Sequence, residues 1–220
     1  MHSNPFQQVV RATRLRSIDR PSASQEPWTF GSLVGRLSEL SEERSEGALS
    51  LACSIVAEAQ RANEPVAWVA PGATLFYPSD LAESGIDVQA IAILRLPGAR
   101  AAILAAEWLL RSGAFGLLVL DLGSDFRIAD APLGRLARLA ERGASAVLFL
   151  TRKSAGEQSI GSMISLRAEV HVDPAGCRGS RAQPGSEASP VALIVHTVKD
   201  KRGAPEAAVR RLLDGSRRMY

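Results

Sequence analysis

The sequence is poor in cysteine. Its two cysteines, Cys53 and Cys177, lie far apart among 220 residues and belong to no CxxC pair, so neither a disulfide framework nor a zinc site is suggested. Both read as reduced thiols. Long apolar runs are also missing: none approaches the roughly 18 to 20 residues that a membrane span requires. The opening stretch, MHSNPFQQVVRATRLRSIDR, lacks the apolar core of a secretion signal. The expectation is a cytoplasmic protein with no membrane contact. The three histidines are scattered at positions 2, 171 and 196, and no HExxH, GxSxG or paired-carboxylate spacing supports metal or hydrolytic chemistry. His171 and His196 both fall in late candidate strands, where they are expected to face each other as a surface or core pair.

What remains is 46% hydrophobic and 22% charged, the composition of a globular chain with one main core and room for appendages. A net charge of +3 hides a division. Residues 1–20 carry +3 and residues 176–220 carry +5, which leaves −5 for the middle. Basic ends around an acidic body suit an acidic partner: DNA, another protein, or a second copy of the body.

Along the chain, residues 5–18 suggest a short basic helix with Phe6, Val9 and Val10 on one side, and DRPSASQEP reads as a linker. Residues 1–30 are therefore expected to form a basic arm and linker, residues 31–205 the core, and residues 206–220 a basic tail. From Gly31 onward, apolar runs of strand length alternate with longer helical stretches: RLSEL, then GALSLACSIVAEAQRAN, then PVAWVAP. In that first helix Leu49, Ala52, Cys53, Val56, Ala57 and Gln60 recur at three- and four-residue spacing, which predicts the face laid on a sheet. The alternation continues through a candidate helix at PSDLAESG, strand AIAILRL, helix GARAAILAAEWLLRSG, strand FGLLVLDLG, helix PLGRLARLAERG and strand AVLFLT. Continuous apolar strands are expected where both sheet faces are covered. RAEVHVDP and PVALIVHTVKDK read as a late pair of strands, and PEAAVRRLLDGSRRMY as a partly helical tail with Leu212 and Leu213 docking. Trp68, Trp108 and Phe115 occupy positions expected of core residues. The fold class is α/β: a mostly parallel sheet flanked by helices, ending in an antiparallel hairpin, with basic N- and C-terminal extensions.

Open α/β sheets place ligands at the carboxyl ends of their strands. Asp121 follows four apolar residues at such an end, where a P-loop NTPase holds magnesium; the alternative is an Asp that caps the following turn. A phosphate loop needs glycines, a Lys and a Ser or Thr. In SEERSEGALS only Gly47 survives: Ala48 supplies no cation, Leu49 ligates no metal, and Glu42, Glu43 and Glu46 repel a triphosphate. Ser41 or Ser45 is expected instead to cap the following helix.

The order of these pieces is specific. From Gly35 to about Pro205 the chain resembles the RecA recombinase core: GRLSEL enters the sheet, EERSEGAL falls where the phosphate loop belongs, and SLACSIVAEAQRANEPVAWV follows with similar element lengths. LAESGIDVQAI, LLRSGAFGLLVLD and VKDKRGAP also look like RecA segments in the same order. A short RecA-like chain with a ruined phosphate loop is most similar to the ImuA family, the RecA-related members of bacterial mutagenesis cassettes.

Carried over residue by residue, the resemblance puts Ala48 and Leu49 at the phosphate-loop Lys and Thr positions, and Glu42 and Glu43 at its supporting glycine-proline positions. Gly72 or Ala73 falls at the catalytic glutamate, and Arg152 at the glutamine that senses the γ-phosphate. Asp121 is retained. Lys199 and Lys201 match lysines that reach across to a neighbour's nucleotide. The resemblance thus implies no cofactor, no catalytic residue and no enzyme activity, with Lys199, Lys201, Arg210, Arg211, Arg217 and Arg218 as partner-binding residues. It implies an adaptor or regulator in the SOS response and in damage-induced mutagenesis by translesion DNA synthesis. The implied partners are RecA or other RecA-like subunits, an ImuB-type polymerase-like protein and an error-prone polymerase. The segments corresponding to RecA's DNA-holding loops are short, so homologous pairing is not expected; non-specific DNA contact through the basic ends needs only clustered Lys and Arg. Two alternatives stand beside this reading: a SulA-like inhibitor of cell division, and an ATPase with an atypical site built on Asp121 and Lys199.

Overall fold

The computed structural model describes residues 28–43, 47–71, 85–124, 127–154, 156–173, 191–203 and 208–213. The expected N-terminal helix, the helix at PSDLAESG except its last residue, Cys177 and the last seven residues lie outside them. In chain order the elements are α1 (Phe30–Leu33), β1 (Leu37–Glu42), α2 (Gly47–Arg61), β2 (Val66–Pro71), β3 (Ile91–Leu96), α3 (Ala99–Ser112) and β4 (Leu117–Gly123). There follow α4 (Asp130–Gly143), β5 (Ala146–Arg152), β6 (Leu166–Val172), β7 (Val191–Asp200) and β8 (Ala208–Leu213).

Eight strands form one sheet in the order β3-β2-β4-β5-β1-β6-β7-β8. From β3 to β6 every pairing is parallel, and β6-β7 and β7-β8 are antiparallel. The mostly parallel sheet and its antiparallel end are therefore as expected. Central strands β2, β4 and β5 are apolar on both faces because both are covered. Leu51, Ala52, Ile55, Val56 and Ala59 of α2 pack with Leu40, Trp68, Val119 and Leu148 on one face. Ala102, Ile103 and Ala106 of α3 pack with Leu133, Leu136 and Ala140 of α4, and with Leu118, Leu120, Val147 and Phe149, on the other.

Several expectations are corrected. The α2 stripe is turned relative to the predicted one: Ala52, Cys53 and Val56 are buried, while Leu49, Ala57 and Gln60 are only partly so. Gln60 instead holds Asp87, donating to its carbonyl and accepting from its N–H, at the turn that leads into β3. The core begins before Gly31. Trp28 is 1% exposed and its Nε1–H donates to Thr197 Oγ1 at 3.1 Å, which ties the chain entry to β7. The tail segment Ala208–Leu213 is an edge strand rather than a helix, and Leu212 is 60% exposed. Its arginine and leucine pairs suit either period, and pairing with Val191–His196 settles the matter. Trp68 is fully buried and Phe115 packs on the α3-α4 side, but Trp108 is 73% exposed.

Candidate functional site

At the carboxyl ends of β1, β4 and β5, three charged side chains share the α2 side of the sheet. Leu40, Val119 and Leu150 lie in the core under α2, so Glu42, Asp121 and Arg152, two residues further on, project from the same face. Glu42 and Arg152 are register partners across the β1-β5 pair. This is the crevice where an open α/β sheet would hold a ligand.

The strand-to-helix turn here is met by a protein carboxylate. Glu42 Oε2 accepts a hydrogen bond from the Ala48 backbone N–H at 2.8 Å. The N–H groups that open a helix have no partner within it, and they carry the positive end of the helix dipole. A nucleotide phosphate would use those groups; in this chain Glu42 takes one of them. The expected capping serine is thus corrected at Ser41, which lies inside β1 with its hydroxyl donating to the Ala168 carbonyl at 3.1 Å. Ser45 and Glu46 lie outside the described residues, and Glu43 is exposed in the turn. Gly47 has a packing reason to be glycine: a Cβ there would sit 3.0 Å from Val170 Cγ1, so α2 starts closely against β6. Ala48 is buried and Leu49 packs against the same core. Gly72 and Ala73 lie outside the described residues.

Asp121 is largely withdrawn from solvent. Burial pushes its carboxyl above the usual aspartate range, and the Arg152 guanidinium partly opposes that. A carboxyl of this kind is costly to keep ionised without a cation.

On the opposite sheet face lies a second polar cluster. Glu39 in β1 is fully buried and pairs with Lys153 Nζ at 2.5 Å. It also accepts from Thr151 Oγ1 at 3.0 Å and from the Ile160 backbone N–H at 3.2 Å. Beside it, buried Arg167 donates to the carbonyls of Ser154, at 2.8 Å, and of Glu157. Together these side chains hold the irregular segment 156–165 down on the sheet, with Ile160 and Ile164 beneath it. Burial lowers the Lys153 ammonium pKa, and Glu39 partly restores it.

Lys199 joins this cluster through an irregularity in β7. Arg167 is opposite Lys199 while Ala168 is opposite Thr197, so Val198 is an extra residue and Lys199 turns to the Arg167 side. Burial, then the neighbouring Lys201, lower its pKa. Lys201 points back on the fold, its Nζ donating to the Ser162 carbonyl at 2.7 Å. Asp200 between them is paired with buried Arg36 at 2.5 Å. Lys199 and Lys201 therefore lie on the other face from Asp121, and toward the amino ends of the parallel strands.

The two described tail arginines are also engaged. Arg210 pairs with Asp173 at 2.9 Å from an exposed position. Arg211 pairs with Glu58 at 2.5 Å and donates to the Trp28 carbonyl, and Glu58 accepts from the Phe30 backbone N–H at 2.7 Å. Arg217 and Arg218 lie outside the described residues. His171 and His196 share a sheet face without standing opposite each other: Glu169 is opposite His196, Ile194 is opposite His171, and His171 Nε2 is 3.4 Å from the Glu169 carboxylate.

Sequence reasoning missed Glu39, Lys153 and Arg167. A glutamate at an inward position of LSELSE and an arginine opening RAEVHV were the available signals, but nothing local says that they share a cluster. Among the described residues no group of three or more His, Cys, Asp or Glu could hold a metal ion, and no helix is long and apolar enough to cross a membrane. No protein-family model matches the chain, and no curated protein matches it either.

Proposed function

We propose that the protein is a non-catalytic, RecA-like adaptor that acts in the SOS response and in damage-induced mutagenesis, engaging RecA or a translesion polymerase assembly rather than turning over ATP. The observation that carries this reading is the Glu42 carboxylate on the Ala48 N–H. A site that has lost its loop lysine and threonine and has one helix-opening amide taken by an internal anion has little left with which to hold a triphosphate. The resemblance of the segments around it to the RecA core supplies the process and the partners.

The atypical ATPase is weakened by the separation of its two supposed groups, since Asp121 and Lys199 project from opposite faces of one sheet. Removal of the loop lysine, the threonine and the catalytic glutamate also takes away three separate electrostatic contributions to phosphoryl transfer.

Calorimetry with ATP and magnesium should give no binding heat, whereas micromolar binding would overturn the non-catalytic reading. A stoichiometric excess of the protein should alter RecA strand exchange or RecA ATPase, or a pull-down from DNA-damaged cells should return a translesion polymerase. If both fail, the process assignment is wrong. Filamentous growth on overexpression, with binding to the tubulin-like division protein, would favour the SulA-like alternative.

A further inference from the structure

Two of the three tryptophans, Trp28 and Trp68, are buried; Trp108 is the third and is 73% exposed. It sits on the outer side of α3, one turn after Leu104, which is 48% exposed. The inner side of that helix, Ala102, Ile103, Ala106 and Leu110, is already used by the core. Arg100 precedes Leu104 by four residues and Arg111 follows Trp108 by three, so the outward stripe reads cation, apolar, apolar, cation. The neighbouring helix α4 exposes Arg138 and Arg142.

Glu107 is the acid closest to this stripe along α3, and it is consumed. Its two carboxylate oxygens pair with Arg111 at 2.7 Å and with Arg135 at 3.0 Å, linking α3 to α4. Hydrogen bonds from Arg111 and then Arg135 hold its pKa below the usual glutamate range. Among the described residues, Arg100, Arg138 and Arg142 form no ion pair. The surface therefore presents a rigid aromatic and a leucine amid cations that Glu107 leaves unneutralised, and the exposed Glu141 of α4 makes no ion pair with them among the described residues. Tryptophan and arginine are the side chains that most often dominate binding energy at protein interfaces.

We propose that the outer face of α3 and α4 is a docking surface for an acidic segment of a partner protein, one that sets a leucine or aromatic anchor between aspartates or glutamates. The anchor packs on Leu104 and Trp108, and the acids meet Arg100, Arg138 and Arg142. A second copy of the chain fits poorly, because a two-fold pairing of α3 with itself brings arginine rows together. Single-stranded nucleic acid would use the Trp108 ring as a stacking platform but gains no π-face from Leu104. The surface lies on the opposite side of the sheet from Glu42, so this proposal stands apart from the state of the nucleotide site.

The test is selection of short random peptides displayed on phage against the full chain, with counter-selection against W108A. Because Trp108 is exposed, W108A should leave the urea unfolding midpoint unchanged, and so should the charge-reversed pair R138E and R142E. The expected result is enrichment of peptides with Asp or Glu around a Leu, Phe or Trp. Synthetic copies should bind the wild-type chain, weaken with added salt, and lose about tenfold or more in affinity with W108A. R138E and R142E together should weaken the same peptides and spare a neutral-flanked control. No Trp108-dependent enrichment, or enrichment without acids, overturns the proposal. Trp108-dependent binding of a fluorescent oligothymidylate without peptide binding also overturns it and makes the surface a nucleic-acid site.

Discussion

The Ala48 backbone N–H, which opens α2, donates to the Glu42 carboxylate at the end of β1. The strand-to-helix turn is thereby closed by the chain itself, and the bond should be measurable as stability. Loss of a capping acceptor costs about 1 kcal/mol, so Glu42→Ala should lower the urea unfolding free energy by roughly that amount. Glu42→Gln keeps an acceptor and loses only the charge at the helix dipole, roughly 0.3–1 kcal/mol. Neither variant should acquire ATP binding, because the position after Gly47 still lacks an ammonium group.

Asp121 should behave as a residue that the fold keeps at a cost. Its folded pKa stands above the ordinary 3.8 because burial disfavours the carboxylate. Between 3.8 and that raised value the folded state binds the proton more tightly than the unfolded state, so stability falls as pH rises through the window. The penalty is complete above the folded pKa and absent below 3.8. Asp121→Asn should therefore be more stable than wild type at neutral pH, by about 1.4 kcal/mol per pH unit between the two pKa values. The advantage should vanish below the unfolded pKa. Urea midpoints of both proteins across that range decide it.

The buried pair of Glu39 and Lys153 should show strong coupling. Removing one member leaves a buried charge unpaired, which typically costs about 3–5 kcal/mol, whereas replacing both with apolar groups is often close to neutral. Lys153→Met should be severely destabilising, and Glu39→Leu with Lys153→Met should recover much of the loss in a double-mutant cycle. Additive single losses would show that the pair does not act as a unit.

Adjacent arginines in β8 should differ sharply. Arg210 makes an exposed pair with Asp173, so Arg210→Ala should change stability by at most about 1 kcal/mol. Arg211 is mostly enclosed between Glu58 and the Trp28 carbonyl, and charged hydrogen bonds of this kind contribute about 1.5–3 kcal/mol. Arg211→Ala should cost about that much in a denaturant titration. A lost partner contact in the Arg211 variant would then need a fold control that the Arg210 variant does not.

Ala144 ends α4 with φ of 48°, in the left-handed region that a side chain disfavours. Ala144→Gly should raise stability by about 0.5–1 kcal/mol, read as a higher melting temperature, since the relief outweighs the added freedom of the unfolded chain.

The parallel strands were legible because PVAWVAP, FGLLVLDLG and AVLFLT are apolar on both faces, a pattern that few other settings produce. The helices were legible in existence but not in rotation: the α2 stripe has small residues on several sides, so periodicity alone could not say which side meets the sheet. The sequence points Trp108 to the core because an aromatic in an apolar helix is ordinarily buried, and only the packed position of Ile103, Ala106 and Leu110 shows that it faces outward. The sequence shows Glu42 as a repelling charge, yet its hydrogen bond to the Ala48 N–H depends on the path between β1 and α2. Glu39 and Arg167 lie far apart in sequence and become neighbours through the β1-β6 register, which no local pattern contains.

Trp28 and Arg211 touch, with Trp28 also held by β7. The polypeptide thus enters and leaves the described fold at one spot, and in connectivity it is nearly a ring. Trp28 and Arg211 are thus neighbours in space although 183 residues apart in sequence. A linker from Leu213 to Trp28 would close a gap beside that hydrogen bond, at a chain-entropy cost that grows only with the logarithm of linker length. A circularly permuted chain should therefore keep the sheet order intact while freeing the choice of where the protein begins.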